Sequence, residues 1–312
     1  MTKKVLVATE KPFNSAAVPQ IRKIVEDAGY QLEVLEKYQS QDELLKAVAD
    51  ANALIVRSDK ITKEVIDAAK ELEVIVRAGA GYDSIDTQYA KEKGVIVENT
   101  PGQNSNAVGE LVFGLLVFAS RNRFNGKSGS ELMGKKIGFH AFGHTARCAA
   151  RIARGFGMEI YCFEPFFEQG KERSPKEYED VTNFTNVEDL YKTCDIVSLH
   201  LPATPETKGS INYDLVKNMP KGGVLLNAAR KEIIDEAGLL KLMQEREDLK
   251  YLTDIMPDMD AEYREKLGDR YFSTPKKMGA QTVEANINAG LAAAHQIVAL
   301  FSEGEVKFQV NK

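Results

Sequence analysis

The sequence has no tryptophan, only three cysteines and four histidines, and no long apolar run. Each shortage excludes something. The longest apolar stretch, LVFGLLVFA from Leu111 to Ala119, falls well short of the roughly 20 residues a helix needs to cross a bilayer. The opening MTKKVLVATEKP lacks both an apolar core and a small-residue cleavage site, so no secretion signal is expected. Cys148, Cys162 and Cys194 form no CxxC pair. A sparse, odd count fits free thiols in a reducing compartment, and a cytoplasmic protein is expected. The histidines show no metal-ligand spacing, so no metal is expected. No internal repeat or low-complexity segment is visible.

Charge of either sign is also in short surplus. With 41 Lys and Arg against 46 Asp and Glu, the net charge is -5. No global field draws such a chain to nucleic acid or to an anionic membrane, so neither is expected as a partner. An anionic small molecule would have to be held by a local basic pocket.

What is present is an ordinary globular composition, 43% hydrophobic and 28% charged, over 312 residues. That length allows two domains with separate cores. Apolar runs at 4–9, 32–36, 53–58, 74–79 and 95–99 read as strands. A second series follows at 136–142, 159–164, 195–201, 223–229 and 250–255. Helical patterns such as VPQIRKIVEDAG and DELLKAVADA lie between them. Alternating strand and helix implies parallel sheets with right-handed crossovers, and two such series imply two doubly wound α/β domains. The join is placed in a long helix near 105–121. The last helix, 285–301, has no strand of its own in the second series, so it is expected to return to the first domain.

The most informative local pattern is KKIGFHAFGHTARCAARIARGFGMEIYCFEP. It reads strand, tight turn, helix, strand, acid. The three positions of a GxGxxG fingerprint hold Ala141, Gly143 and Ala146. Gly143 keeps the place where backbone can approach a pyrophosphate, and Ala146 is small enough for helix–strand packing. Ala141 replaces the tight-turn glycine, and by itself the pattern fits an ordinary strand–helix turn equally well. The helix start at His144 and Thr145 offers free N–H groups and a positive dipole end to a pyrophosphate. Glu164 ends the next strand, where an acid can bind ribose hydroxyls and repel a 2′-phosphate. That favours NAD over NADP; the plainer alternative is a solvated strand end. Arg147, Arg151 and Arg154 share one helix face and read as a solvated stripe.

Seven segments carry a wider resemblance: VRSDKIT, VRAGAGYDSID, NTPGQNSNAVGELVFGLL, ELMGKKIGF, CDIVSLHLPATPETKGSIN, GGVLLNAARKEIIDEAGLL and TPKKMGAQT. In this order and spacing the chain resembles the D-2-hydroxyacid dehydrogenases over nearly its whole length. The similarity is greatest to members that oxidise 3-phospho-D-glycerate. The resemblance implies a Rossmann-type nucleotide domain at 100–286 and a flavodoxin-like substrate domain at 1–99 and 287–312, with the substrate bound in the cleft. It also implies NAD as cofactor, a phosphorylated 2-hydroxy acid as substrate and a homodimer. No length remains for the C-terminal regulatory domain of longer relatives, so feedback through one is not expected.

The resemblance also assigns roles. Arg230 would bind the substrate carboxylate and polarise the reacting carbon, a task suited to a planar fork. The backbone N–H groups of Ala80 and Gly81 would meet the same carboxylate. Asp254 would bond the nicotinamide carboxamide, while Leu201, Ala229, Gly279 and Ala280 would line the cofactor. Arg57 and Ser58, with Asn104, would hold the substrate phosphate. Two departures matter. Lys277 stands where the family has its acid–base histidine, and Met259 stands where it has the partnering glutamate. Asp258 and Asp260 flank Met259 without either being assignable. Lys277 becomes the candidate base, provided that neighbouring cations and burial push its pKa down from the ordinary value of about 10.4. A solvated or phosphate-binding role for Lys276 and Lys277 is the alternative.

The implied reaction is oxidation of 3-phospho-D-glycerate to 3-phosphohydroxypyruvate, the first step of phosphorylated serine biosynthesis. Reduction of glyoxylate or hydroxypyruvate is a competing reading. A non-catalytic NAD-sensing module, like the corepressors that resemble this family, is another, and an inactive relative a third.

Overall fold

The strands of this chain are continuous apolar runs because both faces of their sheets are covered. A computed structural model describes residues 2–165 and 178–312. Two compact units form: Met1–Asn104 with Thr282–Lys312, and Ser105–Gln281.

The first unit runs β1 (Lys4–Thr9), α1 (Ala17–Asp27), β2 (Gln31–Glu36), α2 (Gln41–Ala47), β3 (Ala53–Val56), α3 (Lys63–Ala68), β4 (Val74–Arg77), α4 (Thr87–Glu92) and β5 (Ile96–Asn99). Its sheet is parallel, in the order β2-β1-β3-β4-β5. Successive side chains feed opposite layers. Leu6, Leu54, Val56, Ile75 and Val97 enter one core, while Val5, Val7, Ile55, Val74 and Val76 enter the other. This is the two-residue period of a strand buried on both sides.

The second unit runs α5 (Ser105–Ser120), β6 (Lys136–His140), α6 (His144–Gly155), β7 (Glu159–Phe163), β8 (Thr182–Asn183), α7 (Val187–Thr193), β9 (Ile196–Leu199), α8 (Tyr213–Val216), β10 (Val224–Asn227), α9 (Glu236–Glu245), β11 (Lys250–Thr253), α10 (Asp260–Leu267) and β12 (Tyr271–Ser273). Among the described residues its sheet has seven strands, all parallel, in the order β12-β11-β10-β9-β6-β7-β8. The sequence pattern predicts five of these. β8 and β12 are edge strands of two and three residues, too short to show a period.

Helix α11 (Val283–Glu303) closes the chain. Thr282 caps its start by accepting the Ala285 N–H, and Gly304 ends it in the left-handed region. Its buried stripe, Ala285, Ala289, Ala293, Ala294 and Ile297, packs on the first sheet with α1. Small residues set the close approach: a Cβ at Gly290 would come within 2.9 Å of Ile21.

Both topologies reverse direction once, and ligands of open α/β sheets bind outside the carboxyl ends of the strands at that reversal. In the first unit the reversal lies at β1 and β3, whose ends carry Glu10–Pro12 and Arg57. In the second it lies at β6 and β9, whose ends carry Ala141–Gly143 and His200–Leu201. Among the described residues no helix is long and apolar enough to cross a membrane, and no cluster of His, Cys, Asp or Glu could hold a metal ion.

Candidate functional site

In the second unit the turn after β6 keeps its sharpness on an alanine. Ala141 has φ +69°, a left-handed conformation that costs a side-chain-bearing residue about 1–2 kcal/mol. Gly143 then caps α6 with extended backbone and no side-chain bond. A Cβ built on Gly143 meets nothing within 4 Å, so the space before the helix N-terminus is open. His144 is exposed there, and the Thr145 hydroxyl donates to Ser105 at 3.4 Å. Ala146 is fully buried with Ala149 and Ala150 against the sheet. Orphan N–H groups, a positive dipole end and open space together fit a pyrophosphate.

Glu164 stands beside this turn. Its carboxylate accepts the Phe142 N–H at 3.0 Å. Asn183 holds its backbone on both sides, accepting the Glu164 N–H at 2.9 Å and donating to its carbonyl at 3.3 Å. The strand end is therefore ordered and not merely solvated. The arginine stripe of α6 is solvent-facing at Arg151, as expected, but its heads are engaged. Arg147 donates to the Phe142 carbonyl at 3.1 Å, Arg151 to Asn106 at 2.8 Å, and Arg154 forks onto Asp180 at 2.7 and 2.5 Å. The aromatic face of Tyr178 lies beneath both Arg147 and Arg154. Long arginine stems pack here while their heads find carbonyls and carboxylates.

At the ends of β9, β10 and β11, Leu201 and Ala229 are buried and Asp254 is fully so. Asp254 Oδ2 accepts the Gly279 N–H at 2.6 Å. Gly279 must be glycine, since a Cβ would come within 2.7 Å of that oxygen. Thr274 donates to the Asp254 carbonyl at 2.8 Å, and Ala280 is half-buried beside the core of this unit. Burial pushes the Asp254 carboxyl up from its ordinary pKa, while Lys277, the Gly279 and Met278 N–H groups and Arg230 pull it down. Asp254 Oδ1 is buried with no hydrogen-bond partner. A buried acceptor without a donor is costly. A carboxamide NH2 supplies the missing donor, so this site fits the nicotinamide end of a dinucleotide.

The cationic pair converges on one atom. Arg230 Nη1 and Lys277 Nζ both donate to the Ala229 carbonyl, at 2.9 and 2.8 Å. The loop that presents Arg230 is tied by Asn227, which accepts the Ala229 N–H at 3.0 Å and donates to the Arg230 carbonyl at 2.9 Å. The Thr274 hydroxyl, sharing its one proton between the Asp254 and Lys276 carbonyls at 2.8 and 2.7 Å, ties the Lys277 segment to the end of β11. Asn227 and Thr274 escaped the sequence reading. A buried asparagine closing an apolar strand was the available signal for the first.

The flanking acids lie elsewhere. Asp258 pairs with Lys231 at 2.5 Å. Asp260 accepts from Arg264, Tyr271 and Ser273 at 2.7, 2.7 and 2.8 Å. Met259 packs on the apolar core. The positive charge of Lys277 acts on the Asp254 carboxylate. The histidines offer no ready replacement base. Burial pulls His140 down to about 4 and His200 to about 3, leaving them weakly basic. His144 opens α6, and His295 sits on α11 of the first unit.

In the first unit Arg57 follows β3. Its Nη1 donates to the carbonyls of Lys11 and Pro12 at 2.9 and 2.6 Å, and its guanidinium faces the Phe13 ring at 5.3 Å. It therefore bridges the loops at the sheet's reversal point. Burial lowers its pKa from the ordinary arginine value, against the opposing pull of Asp59 and Glu36. Buried Asp59 accepts the N–H groups of Arg57 and Glu10 and the Tyr38 hydroxyl. Ser58 is exposed, as is Ala80; Gly81 and Asn104 are half-buried. Asn99 donates to the Ala80 carbonyl at 2.6 Å. Arg77, which the sequence reading passed over, donates to the Arg57 carbonyl at 2.9 Å. Gly79, at φ +141°, leaves it room: a Cβ there would overlap the Arg77 guanidinium.

Comparison with known proteins agrees with this chemistry. The family described as "D-isomer specific 2-hydroxyacid dehydrogenase, catalytic domain" matches residues 6–311. A hydroxypyruvate reductase of Thermotoga maritima is 34% identical over 86% of this chain and 90% of its own length. A D-3-phosphoglycerate dehydrogenase of Methanocaldococcus jannaschii is 34% identical over 88% of this chain, but over only 54% of its own length. The chain thus spans about half the length of that phosphoglycerate dehydrogenase relative. Among solved structures, the NAD+-bound 3-phosphoglycerate dehydrogenase of Entamoeba histolytica is 44% identical. It superposes with a TM-score of 0.88 over 100% of this chain and 99% of its own. The chain belongs to the D-isomer-specific 2-hydroxyacid dehydrogenase family.

Proposed function

We propose that the protein oxidises 3-phospho-D-glycerate to 3-phosphohydroxypyruvate with NAD. The observation that carries the reaction type is the meeting of Arg230 and Lys277 on the Ala229 carbonyl. It sets a carboxylate-binding fork beside an amine that can exchange a proton. The substrate is supported by the 44% identity to the Entamoeba enzyme and by Arg57 as a cation for a phosphate. The same resemblance carries the inference of a cytoplasmic homodimer at the first step of phosphorylated serine biosynthesis.

Arg230 binds the substrate carboxylate through paired N–H donors and draws electron density from the adjacent carbon. Ala80 and Gly81 add backbone donors to the same carboxylate. Lys277, in its deprotonated form, takes the C2 hydroxyl proton as the carbonyl forms. A bound NAD would supply the acceptor for the hydride of C2. Asp254 would hold its carboxamide through Oδ1, and Gly143, His144 and Thr145 would receive the pyrophosphate, with Leu201, Ala229 and Ala280 lining the cofactor.

NAD is favoured over NADP because Glu164 offers a carboxylate where a 2′-phosphate would lie. Replacing Glu164 with serine should narrow the ratio of the two kcat/KM values. A wild-type enzyme that uses both cofactors equally would remove that role.

The second reading is reduction of hydroxypyruvate, favoured by the Thermotoga relative and by the two loop carbonyls that already occupy Arg57 Nη1. The substitution Arg57→Ala decides between them. We expect KM for 3-phosphoglycerate to rise about tenfold or more, the size of a lost charge-assisted bond. KM for an unphosphorylated 2-hydroxy acid should change much less. Equal changes on both substrates would mean that Arg57 only braces the loop.

A further inference from the structure

We propose that the first unit carries a binding site for a small primary-ammonium ligand, in the cavity where the C-terminal tail runs past β5 and α11. The ammonium would donate to Glu98 Oε2 and to the Gln296 amide oxygen.

The cavity has a volume of about 250 Å3 and is lined by Glu98, Gln103, His295, Gln296, Glu305 and Lys307, with the Phe308 ring. That is smaller than the roughly 300–1,000 Å3 of drug-sized pockets, so a small ligand fits. Glu98 is fully buried on an edge strand. The sequence gives no reason for a carboxylate in that apolar run except the tail. Its Oε1 accepts the Lys307 and Phe308 N–H groups at 3.0 and 2.7 Å, which anchors the tail. The tail continues along β5, where the Val310 N–H donates to the Val97 carbonyl and Asn311 accepts the Val97 N–H.

Anchoring uses one carboxylate oxygen and leaves the other. Glu98 Oε2 is buried without a partner, and so is the Gln296 amide oxygen on α11. The two residues line the same cavity, and both buried atoms are acceptors. Two orphan acceptors at one place call for a ligand group with several N–H donors, and a buried carboxylate calls for positive charge. A primary ammonium supplies both; a carbonyl or a phosphate supplies neither. The aromatic wall agrees, since the Lys307 ammonium already lies 5.7 Å from the centre of the Phe308 ring. Aromatic faces attract cations. Glu305 adds a second negative group at the rim, while Lys307 and His295 are the rim's basic side chains.

The test uses the whole chain and three probes of similar size: ethanolamine, ethylene glycol as its uncharged counterpart, and tetramethylammonium as a cation without N–H donors. Calorimetric titration at neutral pH should show saturable binding of ethanolamine and none of the other two. Glu98→Gln keeps its one amide oxygen for the tail N–H groups and places an NH2 donor where Oε2 stood. Ethanolamine should bind it about tenfold more weakly or worse, the cost of one charged hydrogen bond. Should that variant fail to fold, Gln296→Met carries the same comparison from the other side. The proposal is overturned if ethanolamine does not bind, if ethylene glycol binds as well, which would mean that water fills the site, or if the folded variant binds like wild type.

Discussion

Replacing Arg230 with lysine should lower kcat/KM by about 10²–10³, the usual cost of removing one oriented donor from a charge-stabilising site. The charge survives in this variant, so the loss measures geometry. A guanidinium presents two parallel N–H groups to a carboxylate while a third direction remains for the Ala229 carbonyl. A lysine ammonium at the same place could reach either the carbonyl or the substrate, but not both in a planar fork. Arg230→Ala should fall further, and added guanidinium should restore part of the rate by entering the vacated space. Thermal stability should stay near wild type, because Asn227 holds this loop through backbone atoms. An Arg230→Lys enzyme within twofold of wild type would sink the carboxylate role. So would a loss confined to KM for NAD.

Much of the architecture was legible because buried parallel strands announce themselves as apolar runs. What was not legible had a physical reason in each case. β8 and β12 are edge strands whose two or three residues are held by neighbours, not by their own pattern. The α6 arginines looked solvated because period alone shows which face they share, not what that face meets. Their partners Asp180, Asn106 and Tyr178 come from distant sequence. Asp258 and Asp260 were both open as partners for Lys277. The first is drawn to Lys231 and the second is consumed by Tyr271 and Ser273 on the neighbouring strand. Ala141 shows the converse. A motif weakened on paper keeps its left-handed turn in the chain, because a small side chain tolerates that strain where a branched one would not.

On the proposed mechanism, proton transfer falls to Lys277 alone. Lys277→Ala should lower kcat by about 10²–10⁴, the range of general acid–base catalysis. Affinity for NAD should change little, because the segment meets Asp254 through the Gly279 backbone N–H, which the substitution leaves in place. Lys277→Arg separates proton transfer from charge. Arginine keeps the cation and can still donate to the Ala229 carbonyl, yet it does not give up its proton, so kcat should fall nearly as far as in the alanine variant. The kcat/KM profile of the wild type should rise with pH as the amine loses its proton. That limb should vanish in both variants, since neither retains a group at 277 that titrates there. Lys276 provides the internal control. Both lysines are exposed, against the burial expected for Lys277, but it is Lys277 that reaches the Ala229 carbonyl beside Arg230, while Lys276 lies one residue away, its own carbonyl 2.7 Å from the Thr274 hydroxyl. Lys276→Ala should therefore keep most of the activity and the shape of the profile. Activity lost in Lys276→Ala but kept in Lys277→Ala would move the base by one residue. If both variants turn over like wild type, the proton leaves by another route, and a water held by Arg230 becomes the group to test.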